Sequence, residues 1–258
     1  MIMPEYEKKS LSDIVVSYVK NRILSGTLKS GDKLIEADIS NELNTSRAPV
    51  REAMRILNEQ GIISFSPRKG NQVLEMSPKE ILEIFEIRIT LEIQVLDLLV
   101  SQHMLQEEDY QEMQNLSLQM QDGERQCSKN EERVFLLNTL DLSFHRYLWN
   151  ASESRRRAQI LEGLFYQLLI AMNQNIVSLG TFEEKAQEHL RILNALKTKQ
   201  LPVVFEEFHQ HLHTYIETTL ADNMQINKAI CFCQLKNPPL YQRQVRGDNR
   251  GFTTTSKQ

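Results

Sequence analysis

Residues 36–61, EADISNELNTSRAPVREAMRILNEQG, decide how this chain reads. They predict a short helix, a tight turn and a second helix. Ser46 stands where the N-cap of the second helix belongs, and Pro49 falls in its first turn, where a missing N–H costs nothing. Val50, Ala53 and Leu57 recur at helical spacing and make a core face. Arg47, Arg51 and Arg55 recur at i, i+4 and i+8 on a different face. Taken alone, such a stripe is more often a solvated charged surface. A helix that is apolar on one side, arginine-rich on another and held by a preceding short helix also suits the major groove of DNA. The flanking segments decide between the two.

Upstream, Ser10 to Leu24 carries Leu11, Ile14, Val15, Tyr18, Val19 and Ile23 at helical spacing. Ser10 with Asp13 forms a capping-box pattern, and Gly26 sits where a C-terminal cap belongs. Downstream, Gly61 ends the arginine helix, and Ile62 to Phe65 suits a strand. Residues 66–71 read as a turn with Arg68 and Lys69 at its tip, and Gln72 to Met76 suits a returning strand. Three helices followed by a β-hairpin wing are predicted. The wing's two cations are placed to meet phosphates or the minor groove.

These residues resemble the winged helix-turn-helix of the GntR family of bacterial transcription regulators. The matching run is Gly26-Thr-Leu, Gly31-Asp-Lys-Leu34, Ser46-Arg47-Ala-Pro49-Val50-Arg51-Glu52-Ala53, Leu57, Gly61 and Gly70. Two positions depart from the family: Ser30 replaces a frequent proline, and Asn44 replaces the usual glycine of the inter-helix turn. Asparagine also tolerates a left-handed backbone, so the second departure is mild. The resemblance implies that Arg47 and Arg51 contact bases or phosphates, with Ser46 and Gly70 near the DNA backbone. Arg55, Arg68 and Lys69 complete the expected DNA-binding set.

The chain has 258 residues, 41% hydrophobic, enough for one large or two modest domains. No apolar run approaches a membrane span, and the N-terminus lacks the apolar stretch of a signal peptide. Three cysteines without a paired framework fit a reducing cytoplasm. The formal charge of −4 argues against a bulk electrostatic nucleic-acid binder. Residues 1–76 hold 11 Lys and Arg against 10 Asp and Glu, the remainder 19 against 24. DNA binding therefore rests on local placement of cations.

Ser77-Pro78-Lys79-Glu80 marks a boundary, with a serine cap, a proline at the first helical position and a glutamate at the third. The expected organisation is a DNA-binding domain over 1–76, an all-helical domain over 77–222 and a basic, disordered tail over 223–258. Within the second domain helices are expected near 78–102, 107–127, 131–150, 155–179, 182–198 and 201–221. The fold class is mainly α: a winged helix-turn-helix followed by a helical bundle.

Asp141 and His145 stand four apart on an apolar helix with Val134, Leu137, Leu140, Phe144 and Leu148, on its buried face. A buried carboxylate is costly unless paired or bound to a cation. His189 lies in the stripe of Ala186, Leu190 and Leu193. His211 flanks the stripe of Val204, Phe208, Leu212 and Tyr215, as His209 does on the other side. One Asp and three His could converge on a divalent metal, with zinc the first choice and nickel, manganese or iron as alternatives. They could instead be an Asp–His hydrogen-bonded pair and two unrelated core histidines, and residue types alone favour that reading.

The helical part resembles the C-terminal ligand-binding domain of the FadR subfamily. Phe85-Glu86-Ile87-Arg88 with Leu91-Glu92 resembles its opening helix, and Asp141-Leu-Ser-Phe144-His145 its metal motif. Glu188-His189 and His211-Leu212 match the two later ligand positions, and only this match prefers His211 to His209. The run Ser152-Glu-Ser-Arg-Arg-Arg157 is more charged than the family's turn. The resemblance implies a metal held by Asp141, His145, His189 and His211, and a small organic acid paired with Arg88. The other role open to Arg88 is an i,i+4 salt bridge with Glu92, and the two are compatible.

The sequence therefore predicts a cytoplasmic transcription regulator, a repressor rather than an activator. It would bind a palindromic operator in double-stranded DNA as a homodimer and sense a small carboxylate at a metal site, without membrane attachment and without catalysis. Two rivals stand beside it. One is a helical metalloenzyme, opposed by the lack of an evident general base. The other is a DNA-binding protein whose helical domain only dimerises around a structural metal. Cys231 and Cys233 lack partner ligands.

Overall fold

The computed structural model describes residues 10–172 and 181–221. The first helix, α1 (Leu11–Leu24), begins at a capping box in which Ser10 accepts from the Asp13 N–H and the Asp13 side chain accepts from the Ser10 N–H. Its chain leaves through Gly26 at φ +70°, whose N–H bonds the Ile23 carbonyl. A short strand β1 (Lys33–Leu34) precedes α2 (Glu36–Glu42) and α3 (Arg47–Glu59). Asn44 turns between these helices at φ +48°, in the left-handed conformation that asparagine tolerates.

Ser46 is the N-cap of α3, but its side chain makes no capping hydrogen bond. One of the usual donors for such a cap is missing from the sequence. Pro49 occupies the third helical position and has no N–H to donate there.

The wing comprises β2 (Ile63–Ser66) and β3 (Gly70–Val73). The Lys69 N–H bonds the Ser66 carbonyl, and Gly70 at φ +78° completes a three-residue hairpin loop. Both strands are displaced, by one to three residues at their ends, from the expected Ile62–Phe65 and Gln72–Met76. The wing is also more than a hairpin. Strand β1 pairs antiparallel with β3, Lys33 opposite Gln72 and Leu34 opposite Asn71, giving the order β1-β3-β2. Two residues are too few to show alternation in sequence, so this strand was not foreseen.

The second part is helical throughout. α4 (Pro78–Ser101) starts at the Ser77/Glu80 capping box with proline in its first turn. It is followed by α5 (Glu107–Asp122), a 3₁₀ turn (Gly123–Arg125), α6 (Asn130–Ala151), α7 (Arg155–Met172), α8 (Phe182–Thr198) and α9 (Leu201–Ala221). The helix expected over 107–127 is thus shorter: after Asp122 the chain tightens at Gly123, where an added Cβ would lie 2.4 Å from the Phe182 ring. The expected segment 173–179 and the tail, with Cys231 and Cys233, lie outside the described residues. α4 packs on α7 and α9, α5 on α6 and α8, and α8 on α9.

Polar contacts between described residues join the two parts. Asn138 on α6 donates to the Leu24 carbonyl at the end of α1, 2.8 Å away in a buried setting. Lys20 meets Glu162 on α7 at 2.9 Å, and Gln167 donates to the Gln60 carbonyl at 3.1 Å. Among the described residues no helix is long and apolar enough to cross a membrane.

Candidate functional site

The first surface is the outer face of α3 with the wing tip. Val50, Ala53, Met54 and Leu57 face inward. Arg47, Arg51, Arg55, Arg68 and Lys69 are all exposed. Arg51 Nε donates to Glu36 Oε2 at 3.0 Å, which holds the guanidinium along the α2 side of the helix. Arg55 is bracketed by Glu52, at 2.6 Å, and Glu59 on its own helix. Of the three arginines it is the one tied to acids one turn away on both sides. The uncapped Ser46 hydroxyl lies on the same exposed end. At Gly70 an added Cβ would meet nothing within 4 Å, so the glycine answers the backbone twist and leaves open space beside the tip.

The second site lies inside the helical part. Asp141 and His145 come from α6, His189 from α8 and His211 from α9. Each offers a ligand atom, and these atoms lie within 4.8 Å of one another. All four side chains are buried. His145 Nε2 is 3.0 Å from His211 Nε2, and His189 Nε2 is 3.1 Å from Asp141 Oδ1. His209, the other flanking histidine, instead stacks on His213. Exposed His103 ends α4's turn at φ +53°.

A ring of further side chains holds these four. Tyr215, one turn after His211, donates to Asp141 Oδ1 at 2.9 Å. Glu188 Oε2 is 2.9 Å from His211 Nδ1 and accepts from Lys185 Nζ at 3.0 Å. Glu92 accepts from Arg88 Nε at 3.2 Å and from Trp149 Nε1 at 2.8 Å, and its Oε1 lies 3.7 Å from His145 Nδ1. Arg88 and Glu92 do form the i,i+4 pair. Both are buried, however, so an exposed pair's few tenths of a kcal/mol do not describe it. Removing one member of a buried pair costs about 3–5 kcal/mol. Arg88 also lies over the Phe165 ring at 5.3 Å, and its second terminal nitrogen is buried without a hydrogen-bond partner.

Sequence reasoning missed Trp149, Lys185, Glu188 as an orienting group, and Tyr215. Spacing carried a signal for two of them. Trp149 stands four residues after His145, and Tyr215 four after His211, so each shares its histidine's helix face.

The electrostatics favour a cation. Burial alone would raise the Asp141 carboxyl, but the facing His189 holds it well below the ordinary carboxylate range. Burial pushes His145 and His211 well down, toward the neutral imidazole that binds metals. Burial raises Glu92, against the opposing pull of Arg88. Both ring nitrogens of His189 and Nδ1 of His145 are buried without hydrogen-bond partners. Buried imidazoles left unpaired are costly. His189 Nε2 nevertheless faces Asp141 Oδ1 at 3.1 Å. A lone pair and a carboxylate aimed at a common point account for both observations. The donor set, three imidazoles and one carboxylate, suits zinc or another first-row divalent ion.

Comparison with known proteins closes the question of kind. Residues 11–73 match the family described as "Bacterial regulatory proteins, gntR family", and residues 83–214, half the chain, match the FCD domain. The gluconate operon transcriptional repressor of Bacillus subtilis is 28% identical over 79% of this chain and 83% of its own. The probable D-xylose utilization operon transcriptional repressor of Paenarthrobacter nicotinovorans is 24% identical, over 86% and 95%. The solved structure of E. coli McbR/YncC superposes with a TM-score of 0.71 at 23% identity, covering 83% of this chain and 99% of that one, a likeness of fold. The chain belongs to the gntR family of bacterial regulatory proteins, in the group whose second domain is an FCD domain, and is a DNA-binding transcription regulator rather than an enzyme.

Proposed function

We propose that this protein is a cytoplasmic repressor that binds a palindromic operator as a homodimer and changes its DNA affinity when a small carboxylate meets a metal in the FCD domain. The observation that carries the reading is the buried Asp141/His145/His189/His211 cluster, with the partnerless terminal nitrogen of Arg88 among its neighbours. The four residues would hold the ion, which supplies a Lewis-acidic centre for a carboxylate oxygen. Arg88 would take the carboxylate with its planar fork. Charge balance supports this. Glu92, Asp141 and Glu188 against Arg88 and Lys185 leave one excess negative charge among buried groups. With neutral imidazoles, a divalent ion turns that excess positive, and one carboxylate cancels it.

On the DNA side, Arg47 and Arg51 would enter the major groove, and Ser46 would meet a phosphate. Arg68, Lys69 and Gly70 of the wing would approach the adjacent backbone, and Arg55 would contribute once its acidic neighbours are displaced. A palindrome follows from twofold symmetry. Dimerisation is supported by the apolar stripe Ile84, Ile87, Leu91 and Leu98 on α4, where Ile87 remains 44% exposed. Two nearby relatives named as repressors support repression.

The test is operator selection from a random-sequence library, followed by binding with and without zinc and a panel of small organic acids. A twofold-symmetric site whose affinity moves with one acid, only in the metal-loaded protein, supports the reading. Affinity indifferent to every acid and to chelation would favour a purely dimerising domain.

A further inference from the structure

We propose that Glu188, steadied by Lys185, is a positioning residue that fixes His211 with its Nδ1–H turned outward and its Nε2 lone pair turned into the cluster. The inference rests on the metal reading above and extends it to residues that touch no metal.

The argument begins with helix geometry. Lys185, Glu188 and His189 share one broad buried face of α8, although a lysine and a glutamate three apart are ordinarily a solvated surface pair. Here both charges are withdrawn from water, each less than a tenth exposed. Burial of two charges costs several kcal/mol per ion, and apolar residues of the same size would hold α8 against α9 as well or better. A packing role therefore does not account for the pair. Its geometry does. A single oxygen, Glu188 Oε2, receives Lys185 Nζ at 3.0 Å and faces His211 Nδ1 at 2.9 Å. Lys185 Nζ in turn sits 3.7 Å from the centroid of Tyr215, whose hydroxyl donates to Asp141. The ammonium is thus anchored between two side chains that each touch a cluster residue.

A carboxylate can only accept, so the proton between Glu188 and His211 belongs to Nδ1. In a neutral ring that leaves the lone pair on Nε2, the atom 3.0 Å from His145 Nε2. Without Glu188 the ring could take the other tautomer, with an N–H pointing where a ligand lone pair is needed. Outer partners of this kind set both orientation and basicity of a ligating imidazole, and their removal costs about 10–100-fold in metal affinity.

The experiment is zinc titration of the full-length protein against a chromogenic chelator, with Glu188→Gln, Glu188→Ala, Lys185→Met, His145→Ala and His209→Ala alongside. Gln can still accept from Nδ1–H, so Glu188→Gln is expected near the tenfold end of that range and Glu188→Ala near the hundredfold end. Lys185→Met should weaken zinc binding to a lesser degree, and His209→Ala should leave it unchanged. Zinc affinity in both Glu188 variants equal to wild type, with binding lost in His145→Ala, would overturn the positioning role and leave the metal reading standing. No zinc uptake by the wild type would remove both. Should Glu188→Ala fail to fold, nitrogen-15 NMR of the histidine-labelled, metal-free wild type decides. A proton on Nδ1 of His211 is expected, and a proton on Nε2 overturns the proposal.

Discussion

Replacing Asn138 by leucine tests how the helix that carries Asp141 and His145 is tied to the DNA-reading domain. The last carbonyls of a helix have no partner within it. At the end of α1, the Leu24 carbonyl takes its hydrogen from the Asn138 amide at 2.8 Å, with Asn138 only 5% exposed. Leucine matches asparagine roughly in size and offers no donor, so the variant leaves a buried carbonyl unpaired. Such an orphan costs about 1–3 kcal/mol. Because about 1.4 kcal/mol is tenfold in an equilibrium, the unfolded fraction should rise by about 5- to 150-fold. Asn138→Asp should be worse, since it sets a carboxylate against a carbonyl. Thr139→Ala on the same helix is the control. Its hydroxyl bonds the Phe135 carbonyl of its own helix, and a change within about 0.5 kcal/mol is expected. Urea unfolding of the full chain, followed by far-UV circular dichroism, reads all three at unchanged m-value. Stability of Asn138→Leu within about 0.5 kcal/mol of wild type would refute the reasoning, because the amide would then add no more than an ordinary surface group.

Arg51→Ala should abolish sequence-specific operator binding while leaving the thermal transition in place, since its side chain is largely exposed; retained specificity in a mobility-shift assay would remove Arg51 from the DNA contacts. Arg88→Lys should keep a positive charge yet lose the melting-temperature rise produced by an organic acid, because an ammonium lacks the bidentate fork. An undiminished rise would contradict the role given to Arg88. Burial alone would raise Glu162, but Lys20 and Arg146 hold its carboxyl below the ordinary 4.5. A depressed folded-state pKa contributes stability above the unfolded value and loses it as pH falls through the folded one. The wild type should therefore lose stability below about pH 4.5 more steeply than Glu162→Gln. Parallel pH profiles of the two would contradict the contact.

Much of the fold was legible because its signals are local. Ser10 with Asp13 and Ser77 with Glu80 both close capping boxes. The arginine helix, its Asn44 turn and the Gly70 hairpin follow from residues within a few positions of one another. What sequence did not show depends on contacts across long separations. Strand β1 exists only through its pairing with β3, and where α5 gives way to a 3₁₀ turn the Gly123 backbone meets Phe182, far along the chain. Periodicity left His209 and His211 equivalent. The bundle separates them by placing Glu188, 23 residues earlier, beside His211 Nδ1. Burial likewise turns Arg88–Glu92 from a weak surface pair into a structural one, which spacing along α4 does not reveal.

The central claim is that Asp141, His145, His189 and His211 hold a divalent metal. Elemental analysis of the full-length protein, purified without chelator beside His145→Ala, tests it most directly. The account predicts one divalent ion per wild-type chain, lost in the variant with its helical circular dichroism retained. No bound metal in the wild type, or equal metal in the two proteins, would contradict it.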